Sequence, residues 1–266
     1  MKHLLLFILA FAIFAHAEPL NEKSSPGTEI VVDLASVDIF PKSWRGGKIN
    51  VSAKPLLDEQ VARFRSIAER ALAKYPPALL HATLRKLHGL GQLEYSGVQT
   101  GGTRSESAIY IVCKPHYRDA AVERIIHAEY SSLLFMKSAK KFDAKAWLEQ
   151  NAEGTRYLGS GVAAVKAGKT SAQMKPELNE QGFLSEYAQA SMEEDFNSHV
   201  VRLFMGEETY WQALEKYLRL RAKAELVMAF YSKLDARFSR ASFARLRTLA
   251  AQAATTASPG KPDVSK

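Results

Sequence analysis

The segment "RIIHAEYSSLLFMK", Arg124 to Lys137, carries a glutamate inside an apolar helical pattern. At ~100° per residue, Val122, Ile126, Glu129, Leu133 and Met136 share one stripe, with Ile125 beside it. Burying a carboxylate there costs on the order of several kcal/mol unless it is paired, hydrogen-bonded or protonated. Glu129 therefore either lines a polar cleft, where it can act as a catalytic base, or has a dedicated Arg or Tyr partner; the pattern leaves both open. His127 lies two residues earlier and projects ~200° away, so the pair cannot grip one ion from one helical face. On its own, His127 reads as an ordinary surface or interface histidine.

A second set of chemical groups lies in "SEYAQASMEEDFNSH", residues 185–199. Met192, Phe196, His199 and Leu203 form an apolar face, flanked by Glu193 and Asp195, while Glu194 points away. The wheel thus favours Glu193, Asp195 and His199 as inward groups. The bland reading of the three acids is charge that complements a helix N-terminus. Tyr187 either donates a hydrogen bond near a cleft or fills the core, and His116, in "PHYRD", stands just before the Glu129 helix.

The elements that must position these groups follow from the periodicity. "EIVVDL" at 29–34 predicts a strand, and 58–74 a helix that Pro76 and Pro77 break. "ALLHATLRKLHGL" predicts a shorter helix to Gly89 or Gly91. Strands are expected at 91–99 and 107–114, joined through "TGGTRSE", followed by the Glu129 helix over 119–138. A short helix, "DAKAWLEQN", precedes a long Gly-containing irregular segment at 154–182. From Ser185 the chain reads as helical almost to its end. This order predicts an α+β fold: a small mixed sheet packed on a central helix, with a mostly helical C-terminal half. The divisions expected are a signal peptide at 1–17, a flexible leader at 18–28, an α+β part with the central helix at 29–141, a helical part at 142–252 and a disordered tail at 253–266.

The start "MKHLLLFILAFAIFAHAEPL" has a positive residue, an apolar run and a small-x-small site ending at Ala17. That pattern predicts export, to the periplasm or beyond, with cleavage near Ala17. Cys113 is the one cysteine, so no internal disulfide can form; in "AIYIVCK" it reads as a buried thiol. The net charge of +8 is concentrated in runs such as "KYLRLRAKAE", which read first as solvated helical faces. Such charge also suits contact with anionic envelope surfaces. No zinc finger or RNA-binding signature is present, and no nucleic-acid partner is expected. "GSGVAAVKAGKT" lacks a convincing phosphate-loop context, and "GSG" at 159–161 lacks a nucleophile elbow.

The centre of the helix, "HAEYSS", resembles the central helix of a family of bacterial secreted zinc metallopeptidases with a zincin-like fold, which reads approximately HHEFSS. His127, Glu129, Ser131 and Ser132 match, with Tyr130 for Phe. "GGT...IYIV", Gly101 to Val112, resembles the family's strand and turn beside the cleft. "RYLGSGVAAVKAG" and "GFLSEYAQASMEEDF" resemble its later blocks, so the likeness spans about Glu29 to Met205. The resemblance implies Glu129 as catalytic base, His127 and Glu194 among the zinc ligands, and Gly101, Gly102, Thr103 and Tyr187 along a peptide-binding cleft. It selects Glu194, whereas the wheel prefers its neighbours Glu193, Asp195 and His199, with His116 a further candidate. In HExxH enzymes the two histidines flank the glutamate at i−1 and i+3. Those positions here are Ala128 and Ser132, a methyl and a hydroxyl. The chain thus reads as metallopeptidase-like with zinc as the implied cofactor and a peptide or protein substrate. The alternative is an inactive relative that binds a peptide, glycan or envelope partner.

Overall fold

A computed structural model describes residues 28–31 and 37–257. The expected signal peptide, nearly all of the leader and the chain beyond 257 lie outside the described residues.

Strand β1 (Glu29–Val31) is followed by β2 (Ser52–Pro55), then by helices α1 (Asp58–Leu72) and α2 (Pro77–Thr83). Next come β3 (Lys86–Tyr95), β4 (Val98–Gln99), β5 (Gly102–Arg104) and β6 (Ala108–Val112). The strands form one mixed sheet in the order β1-β3-β6-β5, with β2 and β4 also paired to β3. β1 and β6 run parallel to β3, and β5 pairs antiparallel with β6. Among the described residues, β5 is therefore an edge strand.

The helix expected to reach Gly89 or Gly91 stops at Thr83, and β3 takes over from Lys86. Packing explains the difference. Leu87 joins the core on the α1 side of the sheet, while Leu90 and Leu93 join a second core with Phe40, Val51 and Tyr110. Gly89 lies against the Phe64 ring, where an added Cβ would come within 2.6 Å of Cε1. Gly91 lies against the Pro55 carbonyl, where a Cβ would meet the oxygen at 2.3 Å. Both glycines disfavour helix and admit the close approach of α1 and β2.

Helix α3 (Asp119–Ser138) occupies the span its periodicity predicts. It packs on β5 and β6 and against α1. Val122, Ile126, Tyr130 and Leu133 are fully buried on its core side. Four shorter or middle-sized helices follow: α4 (Ala144–Leu148), α5 (Gly161–Lys166), α6 (Pro176–Asn179) and α7 (Met192–Met205). Two of them, α5 and α6, sit inside the segment expected to be irregular. The C-terminal half ends in α8 (Glu208–Lys216), α9 (Leu218–Leu234) and α10 (Arg240–Ala257). α7 packs more extensively on α3 than any other element does, and it also contacts α9 and α10. Cys113 is buried in the core. No helix among the described residues is long and apolar enough to cross a membrane.

Candidate functional site

A cleft of about 420 Å³ opens between β5, α3, α5 and the first turn of α7. α3 presents Ile125, Ala128, Glu129 and Ser132 to it, and α7 presents Glu193, Glu194 and Asn197. This geometry follows from α3 being squeezed between sheet and helices: its i, i+3, i+4 and i+7 rows face different neighbours. Glu129 belongs to the row at the border of the core. Met136, placed on the same stripe by the wheel, lies 37 % exposed near the helix end.

Glu129 sits under the β5 edge. A Cβ at Gly102 would fall 2.8 Å from Glu129 Cγ and 2.9 Å from its Oε1, so only glycine allows this approach. No described group donates a hydrogen bond to the Glu129 carboxyl. Burial pushes its pKa up to about 8, helped by the Glu194 charge and opposed by Arg104.

Glu194 is held from the other side. Ser191 caps α7 by accepting from the Glu194 backbone N–H at 3.1 Å, which fixes Glu194 in the first turn. The Tyr187 hydroxyl donates to Glu194 Oε1 at 3.1 Å. A Cβ at Gly161 would lie 2.6 Å from both of these oxygens, so the N-terminus of α5 closes over the pair. Burial raises the Glu194 pKa to about 7, against the lowering effect of the Tyr187 hydrogen bond. Burial likewise drives the Tyr187 phenol well up, with the Glu194 charge adding to it, so Tyr187 remains a donor. Glu193 pairs with Arg104 of β5, Nη2 to Oε1 at 3.1 Å, across the mouth.

The other candidates lie elsewhere. His127 is fully buried on the core side of α3 rather than at a surface or in the cleft. Its Nδ1 shares a 2.8 Å hydrogen bond with the Tyr75 hydroxyl, and its Nε2 faces Glu123 at 3.7 Å. Burial lowers the His127 pKa to about 4. Glu123 is held well below the usual carboxylate range: the nearby His127 and the ion-paired Lys74 and Arg70 outweigh its desolvation. Asp195 and His199 are both fully buried in the core. Lys223 Nζ donates to Asp195 Oδ2 at 2.5 Å, to Asn151 Oδ1 at 2.6 Å and to the Gly182 carbonyl at 2.7 Å. Trp147 and Tyr157 also donate to that Asp195 oxygen. His199 Nδ1 is 2.8 Å from the Tyr210 hydroxyl. His116 is exposed, edge-on to Tyr117. The structure therefore brings together Glu129, Glu194, Glu193, Tyr187, Gly101, Gly102 and Thr103, and separates from them His127, Asp195, His199 and His116.

Sequence reasoning missed Asn197 and Arg104. Asn197 donates from Nδ2 to Ser132 Oγ at 2.7 Å, joining α7 to α3 beside Glu129. Its polar character among Phe196, Val200 and Leu203 was the available signal.

Zinc is held in a nearly tetrahedral set by His, Cys and carboxylate ligands, with at least one His or Cys among them in its usual protein sites. The side-chain donors lining this cleft are carboxyl, amide and hydroxyl oxygens, and no histidine or cysteine lines it. Among the described residues no group of three or more His, Cys, Asp or Glu side chains is placed to hold a metal ion. Ser132, three residues after Glu129, is already engaged by Asn197. The cleft as built does not fit zinc.

No family model matches the chain, and no curated protein matches it. Among solved structures it is similar to a crystal structure named "putative zinc-binding metallo-peptidase" from Bacteroides caccae ATCC 43185. The TM-score is 0.51 at 11% identity, covering 85% of this chain and 86% of that one. The likeness extends over most of both chains and shows an α+β fold like that of the named metallo-peptidase structure.

Proposed function

We propose that this is a secreted protein that recognises an extended peptide segment in a metallopeptidase-like cleft, and that it does so without zinc. The observation that carries this reading is the set of side chains α3 turns into the cleft. The carboxyl of Glu129 is kept, while its neighbours at i−1 and i+3 are Ala128 and a Ser132 occupied by Asn197. Export is supported by the signal-like start of the chain.

The peptide surface is the edge of β5. An edge strand can take an extended partner, and Gly101, Gly102 and Thr103 bring that edge directly over Glu129; a partner there would displace Thr100 Oγ1, which meets the Gly102 carbonyl at 2.9 Å and its N–H at 3.4 Å. Glu129 and Glu194 titrate near neutrality, so each holds or releases a proton according to what occupies the cleft. Tyr187 orients Glu194, and Arg104 with Glu193 narrows the entrance.

The test is isothermal titration of end-capped alanine-rich peptides into chelator-treated protein, with mass spectrometry of the mixture. Saturable binding of an intact peptide is expected. Cleavage that appears only when zinc is added would overturn the reading. A second reading, metal-free hydrolysis, is favoured by the two near-neutral carboxyls sharing one cleft, an arrangement suited to proton transfer. It predicts chelator-resistant cleavage that Glu129→Gln abolishes.

A further inference from the structure

The cleft is rich in hydrogen-bond acceptors; those of Glu129 and Asn197 Oδ1 have no donor, while Glu194 Oε1 accepts from Tyr187. Glu129 receives no hydrogen bond from any described group, although it is packed beneath Gly102. Asn197 is 4 % exposed and lines the same cleft, and its Oδ1 is buried without a partner while its Nδ2 is committed to Ser132. Glu194 adds a third acceptor. The cation at hand, Arg104, is drawn to the rim by Glu193. Buried acceptors left unmade are costly, and two carboxyls with an amide residue lining one cleft call for a ligand with several donors and a positive charge.

We infer that the cleft binds an ammonium group, the α-amine or a lysine side chain of a peptide, with Glu129, Glu194 and Asn197 Oδ1 as its acceptors. An ammonium has three donors and no acceptor, which complements this set. Ile125, Val162 and Val165 supply apolar wall for the methylenes or side chain attached to it. The inference deepens the peptide-cleft reading and rests on it for the source of the amine.

The pH dependence separates the two sources. The charged and titratable groups facing Glu129 are Glu193 and Glu194 of α7, Arg104 of β5 and Tyr187. Because burial raises the pKa of both acceptor carboxyls, binding strengthens as the pH rises toward about 8 and they ionise. An α-amine loses its own proton around ~8, giving a bell-shaped profile, whereas a lysine amine stays charged to ~10.

The experiment uses four probes on the full mature chain, followed by NMR titration. Glycinamide and n-butylammonium carry the amine; N-acetylglycinamide and n-butanol are neutral counterparts. The amine probes should bind at least ~10-fold more tightly than the neutral ones, and Glu129→Gln and Glu194→Gln should each remove most of that preference. Equal binding of amine and neutral probes to the wild-type protein overturns the inference without reference to any variant. So does an amine preference unchanged in both folded variants, or saturable calcium or manganese binding that displaces the amine. Capped peptides that bind while amines gain nothing would leave the peptide reading standing and sink this one; amines that bind while no peptide does would sink both, because the amine would then not be a peptide's.

Discussion

Asn197 Nδ2 donates a 2.7 Å hydrogen bond to Ser132 Oγ, tying α7 to α3 at the place where a zinc peptidase of HExxH type would hold its second histidine. Of the residues at i−1 and i+3 from Glu129, Ala128 presents only a methyl, and Ser132 is part of a buried polar contact with its own energetic stake.

Ala128→His together with Ser132→His should place imidazoles beside Glu129 and across from Glu194. The double variant is expected to take up zinc close to one equivalent per chain by elemental analysis, against little in the wild type. A folded double variant that takes up none would contradict the placement of these positions.

The Glu129 carboxyl should make stability depend on pH in a defined direction. Its folded pKa, about 8, lies above the ~4.3 of an unfolded glutamate. Its contribution is fully present below ~4.3 and is lost as pH rises through about 8. Glu129→Gln, which cannot ionise, should leave acid stability unchanged and raise unfolding free energy by on the order of 2 kcal/mol above pH 8, the cleft's water having reduced the full effect of the shift. Denaturant melts across that range check it. A variant less stable than wild type at high pH would contradict it.

Asp195 and Lys223 form a fully buried pair, so removing one partner strands the other. Lys223→Met should cost roughly 3–5 kcal/mol, and adding Asp195→Asn should recover much of it, as a double-mutant cycle. Because Asp195 follows Glu194 directly, the single variant should also weaken binding in the cleft. Full additivity of the two substitutions would count against the pairing.

Gly102→Ala introduces a methyl into contact with Glu129 Cγ and Ile125 Cγ2, both 2.8 Å from the added carbon. Overpacking of this kind costs roughly 1–3 kcal/mol. Peptide affinity should fall by ~10-fold or more, because the β5 edge must lift away from Glu129. His127→Gln, by contrast, should lower stability and leave peptide affinity unchanged, since His127 faces Tyr75 in the core.

The sequence showed α3 from end to end because its apolar residues repeat cleanly, and it exposed Glu129 because a charge interrupts that repeat. It misassigned the start of β3, since "LHGL" has no period long enough to separate helix from strand; the neighbours Phe64 and Pro55 decide. A helical wheel turned Glu194 away from its apolar face, correctly, yet the cleft lies on that side of the first turn. The resemblance named Glu194 as a zinc ligand; in the structure it lines the cleft beside Tyr187. Asp195 faces the core because Lys223 meets it there, and that lysine sits in a basic run that reads as solvated. The Ser132–Asn197 contact joins residues far apart in sequence and has no local signature.

The central claim, peptide recognition without zinc, is tested most directly by titrating an end-capped extended peptide into chelator-treated protein before and after zinc is returned. The account predicts saturable binding to the zinc-free protein and the same affinity once zinc is added. Binding that appears only with zinc would contradict it.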